Sequence, residues 1–243
     1  MKNHIILKLI IAFLILISIE NVSALEENTY ENKNGVILTE KEYKFVTSFY
    51  NDDYFNNMTQ QEYDWISFLD INNKEVIINS YVDGNNAKGP VYSTGSKKLS
   101  IAKTCDASKC SVLTNLTWLT NPIIRSYDVI GARFSGTSLY SNTFVTKVTS
   151  SAGVSYFNYN KVLSNGFGTS VLLPVSPATN IIVDQQFYTN PGGSIYASYQ
   201  HATSNISLST SYNYNISASG YGGVFAFYGS ATGVYDGMGG VNI

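Results

Sequence analysis

The residues of this chain that are able to do chemistry are few, and the first are its two cysteines, Cys105 and Cys110, in the stretch TCDASKC. Such a pair can form a disulfide, act as a redox couple or supply two ligands to zinc. A zinc site needs about four ligands, and the chain adds only two histidines, His4 and His201. A redox pair is typically spaced by two residues at the start of a helix. The sequence therefore predicts a disulfide that closes a turn.

The segments on either side of the cysteines support this interpretation. If Cys105 and Cys110 face each other across a hairpin, Leu99 lies opposite Leu116. This register collects apolar residues on one face and Ser, Thr and Asn on the other, as a half-buried antiparallel pair requires. A shift of one residue would mix the two faces. The pattern thus predicts both the disulfide and the register of the hairpin.

Residues for acid–base or nucleophilic catalysis are sparse. No GxSxG motif is present. A glycoside hydrolase needs two carboxylates about 5 to 10 Å apart, and the chain after residue 89 has only four carboxylates, Asp106, Asp128, Asp184 and Asp236. We interpret Asp128 as an ion-pair partner of Arg125 or Arg133, and His201 as a polar residue at the surface or at a strand edge. An extracellular glycan-processing enzyme is kept as a second alternative function.

Two loops are rich in oxygen-bearing side chains, NDD at residues 51–53 and DGNN at residues 83–86. Such side chains ligate calcium, but neither loop has the ligand spacing and the terminal glutamate of an EF-hand. We expect no cofactor and no metal site, with a bound calcium ion as the alternative.

Tyrosine is the chemically richest residue of the second part of the chain. Thirteen of the nineteen tyrosines follow residue 89, and only two charged side chains occur from residue 162 onward. Aromatic rings beside amides and hydroxyls suit sugars, because a ring stacks on the apolar face of a sugar while polar groups bind its hydroxyls. Packing within β-sheets is the other explanation for these rings. The predicted ligand-binding residues are Tyr156, Tyr159, Tyr196, Tyr199, Tyr212 and Tyr214.

These residues favour a non-enzymatic binding protein whose partner is a carbohydrate or another cell-surface component. Nucleic acid is not an expected partner, because the pI is near 5.7 and the basic residues form no dense patch. The first alternative is a β-pore-forming or membrane-active secreted protein. Residues 144–160 have low charge and a flexible centre, as an amphipathic membrane hairpin would.

The beginning of the chain predicts export. Lys2 and Lys8 lie before an apolar run over residues 9–17, and Val22 and Ala24 supply the small residues of a cleavage site. We predict a signal peptide over residues 1–24. The mature chain is then expected to be secreted, without a stable membrane anchor after cleavage, into a compartment that permits a disulfide.

The elements that position these residues divide into two regions. In residues 25–74, Thr39 with Glu42 and Thr59 with Glu62 have the spacing of capping boxes. They predict two short amphipathic helices that pack on the following domain, over about 39–50 and 59–69.

Residues 75–243 consist of short runs rich in Val, Ile, Tyr and Phe, separated by Gly, Pro, Asn and Ser. Such runs, without helices between them, are typical of antiparallel strands. We predict a mainly β fold, an antiparallel β-sandwich over residues 75–243 preceded by two short α-helices. Jelly-roll and immunoglobulin-like topologies both remain open.

Overall fold

The computed structural model describes residues 28–82, 96–202 and 204, and three later segments, 214–217, 224–227 and 235–243. The predicted signal peptide over residues 1–24 lies outside the described residues. The predicted fold class is confirmed, because antiparallel strands dominate and short helices precede the two large sheets.

The helices are α1 (Glu40–Phe49), α2 (Asp52–Asn57) and α3 (Gln60–Ser67). Together they are called the helical cap below. The strands are, in chain order, β1 (Thr29–Glu31), β2 (Ile37–Thr39), β3 (Val76–Val82), β4 (Lys97–Cys105), β5 (Cys110–Trp118), β6 (Tyr127–Ser135), β7 (Leu139–Ser150), β8 (Gly153–Phe157), β9 (Tyr159–Leu163), β10 (Gly166–Leu172), β11 (Ile182–Thr189), β12 (Ser194–Ala202), β13 (Tyr214–Ser217), β14 (Val224–Phe227) and β15 (Tyr235–Asn242).

Both predicted capping boxes are present and start α1 and α3. The Thr39 hydroxyl accepts a hydrogen bond from the Glu42 backbone N–H at 3.2 Å, and the Glu42 carboxylate accepts one from the Thr39 N–H at 2.9 Å. Thr59 and Glu62 repeat the arrangement, at 3.4 and 2.7 Å. Each box satisfies backbone donors that the first turn of a helix leaves free.

A third helix, α2, lies between the two that the sequence predicted. Asn51 caps it, since its side-chain oxygen accepts a hydrogen bond from the Tyr54 backbone N–H at 2.7 Å. Asp52 and Asp53 occupy its first turn, where negative charge is favourable. The helix has six residues, too few to show a helical period in the sequence.

Two large sheets form a sandwich. One has the strand order β3-β4-β5-β11-β7-β8 and the other β15-β12-β6-β10-β9, and all their pairs are antiparallel. Alternate residues of the two sheets face each other and bury a shared apolar core, which includes Leu99, Leu116, Ile130, Val148, Phe167, Val183 and Phe187.

The β4–β5 hairpin has the predicted register. Cys105 pairs with Cys110 and Leu99 with Leu116, and the two sulfurs form a disulfide. The side of the hairpin that was expected to face solvent is covered, and β5 is buried along its whole length, including Asn115. What covers it is the helical cap.

The helical cap packs on the outer face of the six-stranded sheet. A second apolar cluster joins Phe45, Phe49 and Ile66 of the helices to Leu113 and Ile182 of the sheet. The sheet is therefore sandwiched between the second sheet and the helices, and the polar side chains on its outer face become buried.

Candidate functional site

A cleft of about 470 Å³ opens between the helical cap and one end of the six-stranded sheet. Its floor is a row of cross-strand neighbours from four strands, Thr117, Ile182, Thr149 and Val154. Its roof comes from α2, α3 and their caps, with Asn51, Asp53, Tyr54, Asn57, Gln61 and Glu62. Paired residues on neighbouring strands share a face of the sheet, and Ile182 packs against the helices. We call this feature the cap–sheet cleft.

The lining of the cap–sheet cleft combines hydroxyl, amide and carboxylate groups with apolar floor residues and aromatic side chains. Among the described residues that line it, none is Lys, Arg or His. The cleft therefore offers both hydrogen-bond donors and acceptors, and its formal charges come from two carboxylates, those of Asp53 and Glu62.

Two buried hydroxyls at the wall of the cleft, those of Tyr54 and Thr149, make no hydrogen bond. The Tyr54 ring stacks on Tyr50 with 4.0 Å between centroids, and its hydroxyl lies near that of Tyr50 without reaching hydrogen-bonding geometry. Burial, together with the nearby Asp184 carboxylate, raises the pKa of both phenols well above the usual value. The hydroxyls of Tyr50 and Tyr54 therefore stay protonated and can donate hydrogen bonds. An unsatisfied buried donor costs about 1–3 kcal/mol, which a water or a ligand group would offset.

A buried polar network lies next to the floor, in the adjacent row of the sheet. The Asp184 carboxylate accepts hydrogen bonds from the Asn115 amide at 2.8 Å and from the Tyr50 hydroxyl at 3.1 Å. The Lys147 ammonium is 3.7 Å from the other carboxylate oxygen and 4.2 Å from the ring centroid of Trp65. Burial raises the pKa of Asp184 and lowers that of Lys147, and the attraction between the two groups opposes both shifts. The network ties the helical cap to three strands.

Of the predicted ligand-binding tyrosines, Tyr156 lies beside the cleft. Its side chain is on the outer face of β8 and 56% exposed. The Gln61 amide, which lines the cleft, donates to the Tyr156 hydroxyl at 3.4 Å, and the Trp65 ring is 6.5 Å away. Tyr156 is therefore placed to extend the cleft at its margin.

The other described tyrosines of the set lie in the five-stranded sheet. Tyr199 is fully buried in the core and donates a hydrogen bond to Asp128, so it is a packing residue and not a surface for a ligand. Tyr196 points to the opposite face, where the Arg133 guanidinium lies 4.2 Å from its ring centroid. The remaining side chains lie outside the described residues and their roles stay predictions, namely Tyr159, Tyr212 and Tyr214.

The interpretation of Asp128 as a partner of nearby arginines is wrong. Its buried carboxylate accepts hydrogen bonds from Tyr199 and from the Ala202 backbone N–H, and it lies 2.9 Å from Nδ1 of His201. Arg125 donates instead to backbone carbonyls of the β5–β6 and β10–β11 loops. His201 is only 12% exposed and packs on Trp118, so it is not a surface residue.

Sequence reasoning missed the roof of the cleft. It treated residues 51–53 as a candidate calcium loop and Glu62 as a helix cap alone, whereas Asn51, Asp53 and Glu62 also line one cavity. The available signal was the run of Asn, Asp and Gln over residues 51–62 beside Tyr54. In the described ranges no group of three or more His, Cys, Asp or Glu side chains suits a metal ion. The DGNN loop lies outside them.

A second, more open groove of about 600 Å³ lies between α1 and β3. Its three lysines are engaged, because Lys44 pairs with Glu40, Lys74 lies 3.2 Å from Asp106, and Lys41 donates to the Lys74 carbonyl at 2.8 Å. This groove therefore offers a ligand fewer free polar groups than the cap–sheet cleft.

The fold and the cleft define a two-sheet β protein with a helical cap and a cavity of ligand size. None of the helices in the part of the chain that the structure describes is both long enough and apolar enough to cross a bilayer. No protein-family model matches the chain, and no curated protein matches it.

Several solved structures are similar to parts of the chain. The collagen-binding subdomain of the Enterococcus faecalis surface protein ACE aligns at 13% identity over 40% of this chain and 77% of its own, with a TM-score of 0.30. The collagen-binding domain of the Erysipelothrix rhusiopathiae surface protein RspB aligns at 8% identity over 56% and 53%, with a TM-score of 0.34. The pilus backbone RrgB of Streptococcus pneumoniae aligns at 11% identity over 53% and 32%, with a TM-score of 0.29.

Proposed function

We propose that this protein is a non-enzymatic carbohydrate-binding module that acts outside the cell or at a cell surface, and that the cap–sheet cleft is its binding site. The observation that supports this proposal is the cleft itself, whose volume of about 470 Å³ is within the usual range of ligand pockets. The disulfide and the predicted signal peptide support an oxidising, extracellular setting.

The composition of the cleft suits a sugar. Sugar hydroxyls both donate and accept hydrogen bonds, which matches the amides of the roof and the hydroxyl groups of the floor. The Asn57 amide donates one N–H to the Asp53 carbonyl at 2.7 Å and the Gln61 amide donates one to Tyr156 at 3.4 Å, so each amide keeps a second N–H for a sugar oxygen. The C–H face of a sugar ring is apolar, which matches Ile182 and Val154. Tyr156 at the margin adds an exposed aromatic ring for a further sugar unit.

The carboxylates of the protein favour binding over hydrolysis. One oxygen of Glu62 is held by Thr59, through its backbone N–H at 2.7 Å and its hydroxyl at 2.9 Å. The buried carboxylates of Asp128 and Asp184 are engaged within the protein, away from the cleft lining. The carboxylates that do line the cleft, those of Asp53 and Glu62, both belong to its roof, and the described floor residues supply hydroxyl and apolar groups. A glycosidase instead places its two carboxylates so that they flank the scissile bond.

The candidate membrane hairpin over residues 144–160 is built into the sandwich. Its first strand, β7, lies between β11 and β8 and contributes Val148 to the core and Lys147 to the buried network. Its release would break the β7–β11 ladder and separate the buried Lys147 ammonium from the Asp184 carboxylate. This placement supports binding in preference to pore formation.

A glycan array followed by calorimetric titration of the hits tests the proposal. We expect Asn57→Ala combined with Gln61→Ala to weaken binding by about tenfold or more, because two amides of the roof are lost. The matched control is Asn56→Ala with Gln60→Ala, which removes the neighbouring exposed amides that do not line the cleft. A blank array with folded protein, or equal losses in both double variants, would overturn the proposed site.

A further inference from the structure

The charge of the cap–sheet cleft narrows the class of ligand. We infer that the cleft selects a carbohydrate that carries protonated amino groups, of the kind found in a glucosamine oligomer. This inference rests on the proposed function and adds the chemical class of the sugar. Its basis is the pair of carboxylates from Asp53 and Glu62 in a lining whose described residues include no cationic side chain.

Both carboxylates have capacity for a ligand. Asp53 is exposed in the first turn of α2, and in the described ranges its carboxylate makes no hydrogen bond or ion pair. Glu62 uses one oxygen, Oε2, for its capping box with Thr59, which leaves Oε1 as an acceptor. An ammonium group carries three donors and no acceptor, so it is matched by such oxygens.

The cations near the cleft are engaged within the protein. Lys98 is the cross-strand neighbour of the floor residue Thr117, and its ammonium donates to the carbonyls of Ser48 at 2.7 Å and Tyr50 at 3.4 Å. Lys147 lies behind the wall, only 3% exposed, and its charge is shared with Asp184 at 3.7 Å. Lys33 contacts the side-chain oxygen of Asn57 from the exposed side of the roof. Over residues 28–75, nine side chains are acidic and four are basic. The region around the roof is therefore negative, and its field attracts cations toward the cleft.

A second observation indicates that the cleft takes a ligand. Tyr54 lines it, is only 7% exposed, and has a hydroxyl without a hydrogen-bond partner. Glu62 lines the same cleft, so the cavity holds both a neutral donor and an acceptor. An amino sugar offers both a hydroxyl and an ammonium to such a pair.

Acidic sugars and phosphates are disfavoured by the same lining. Their recognition uses Arg or Lys, which bind carboxylate and phosphate oxygens directly. In the cap–sheet cleft they would meet the carboxylates of Asp53 and Glu62 instead. The charge of the sugar is therefore the property on which the cleft discriminates.

Calorimetric titration of the full chain with three oligomers of equal length tests this inference. The probes are oligomers of glucosamine, N-acetylglucosamine and glucuronic acid, at a pH below the pKa of the glucosamine amino group and at low and high salt. We expect the glucosamine oligomer to bind about tenfold or more tightly than its acetylated counterpart, with the advantage reduced at high salt, and the acidic oligomer to bind weakest.

Two double variants distinguish the effect of the cleft carboxylates on ligand preference from the effect of the net charge of the protein. Asp53→Asn with Glu62→Gln should abolish the preference for the amine while the acetylated oligomer still binds, and glutamine at this position preserves the capping box. The control, Asp52→Asn with Asp64→Asn, makes the same change in net charge outside the lining and should keep the preference.

The outcomes distinguish the inference from the proposed function. Equal binding of the neutral and the amino oligomer, tightest binding of the acidic one, or an equal loss in both double variants overturns the preference for an amine. In the first two cases carbohydrate binding by the cleft stands. Failure of all three oligomers and of the glycan array would remove the proposed function as well.

Discussion

The hydroxyl of Tyr50 donates a hydrogen bond to the carboxylate of Asp184 across 3.1 Å, although 134 residues separate them in the chain. Tyr50 is the C-cap of α1, and the next residue, Asn51, is the N-cap of α2. The contact therefore fixes the start of the cleft roof over the middle of the sheet. Asn115 and Lys147 hold the same carboxylate from the two neighbouring strands.

Replacing Tyr50 with Phe should lower the free energy of unfolding by about 1–3 kcal/mol, because a buried charged acceptor loses a donor while the ring packing is kept. Urea denaturation measures the change. The control is Tyr43→Phe, since the Tyr43 ring also stacks, at 4.0 Å from Tyr30, but its hydroxyl has no hydrogen bond within the described ranges. Equal losses in the two variants would show that the hydrogen bond from Tyr50 to Asp184 does not contribute to the free energy of unfolding.

The buried Asp184 carboxyl should make stability fall as pH rises in the acid range. Burial raises the pKa of Asp184, with Lys147 and the hydrogen bonds from Asn115 and Tyr50 opposing the shift. The folded state therefore holds this proton more tightly than the unfolded state, whose pKa is about 3.9. Linkage then requires that the contribution of Asp184 is greatest below the unfolded pKa and is lost as pH rises through the raised folded pKa.

Comparison of the wild-type protein with Asp184→Asn isolates this effect, because the other carboxyl groups titrate in both proteins. The measurement is urea denaturation of each protein from about pH 3 to about pH 7, the range in which carboxyl groups titrate. The Asp184 carboxyl is the one that the variant lacks. The stability of the wild-type protein minus that of the variant should decline as pH rises. A difference that is flat or increases with pH would show that the folded-state pKa of Asp184 is not raised.

Local sequence predicted the parts of the fold that depend on neighbours in the chain. The β4–β5 register follows from alternation around Cys105 and Cys110, because a shift of one residue would place Leu99 on the wrong face. The capping boxes follow from a three-residue spacing. The helix α2 escaped prediction since its six residues are held by burial of Tyr54 and Phe55 and not by a periodic pattern.

The cleft was beyond prediction because it depends on strand order. Asp184 meets Asn115 and Lys147 only because β11 inserts between β5 and β7, and no local pattern specifies that insertion. Among the predicted tyrosines whose side chains the structure describes, Tyr156 is the one that lies beside the cleft, and its role in binding stays a prediction. Tyr199 points into the core, because alternate residues of one strand face opposite sides.

Removal of the disulfide by Cys105→Ser with Cys110→Ser should lower the free energy of unfolding by about 2 kcal/mol, the value expected for a short closed loop. The hairpin should keep its pairing, since β5 is buried along its whole length between the core and the helical cap. Urea denaturation and the far-ultraviolet circular dichroism spectrum check both statements. Wild-type protein in a reducing buffer should show the same loss, and unfolding of either sample in the absence of denaturant would contradict the prediction.

Gly193, in the turn before β12, should tolerate no side chain. An added Cβ would lie against the Ser135 carbonyl oxygen and 2.5 Å from the carbonyl carbon of Gly136, which are backbone atoms of the last residue of β6 and of the turn that follows it. Gly192 is the matched control, because its φ is +85° against +63° for Gly193 and an added Cβ would meet nothing within 4 Å. Both Ala variants incur the cost of a left-handed backbone, about 1–2 kcal/mol. The clash should make Gly193→Ala about 2 kcal/mol less stable than Gly192→Ala in urea denaturation, and equal stabilities would show that the two turns do not approach each other as closely as the structure places them.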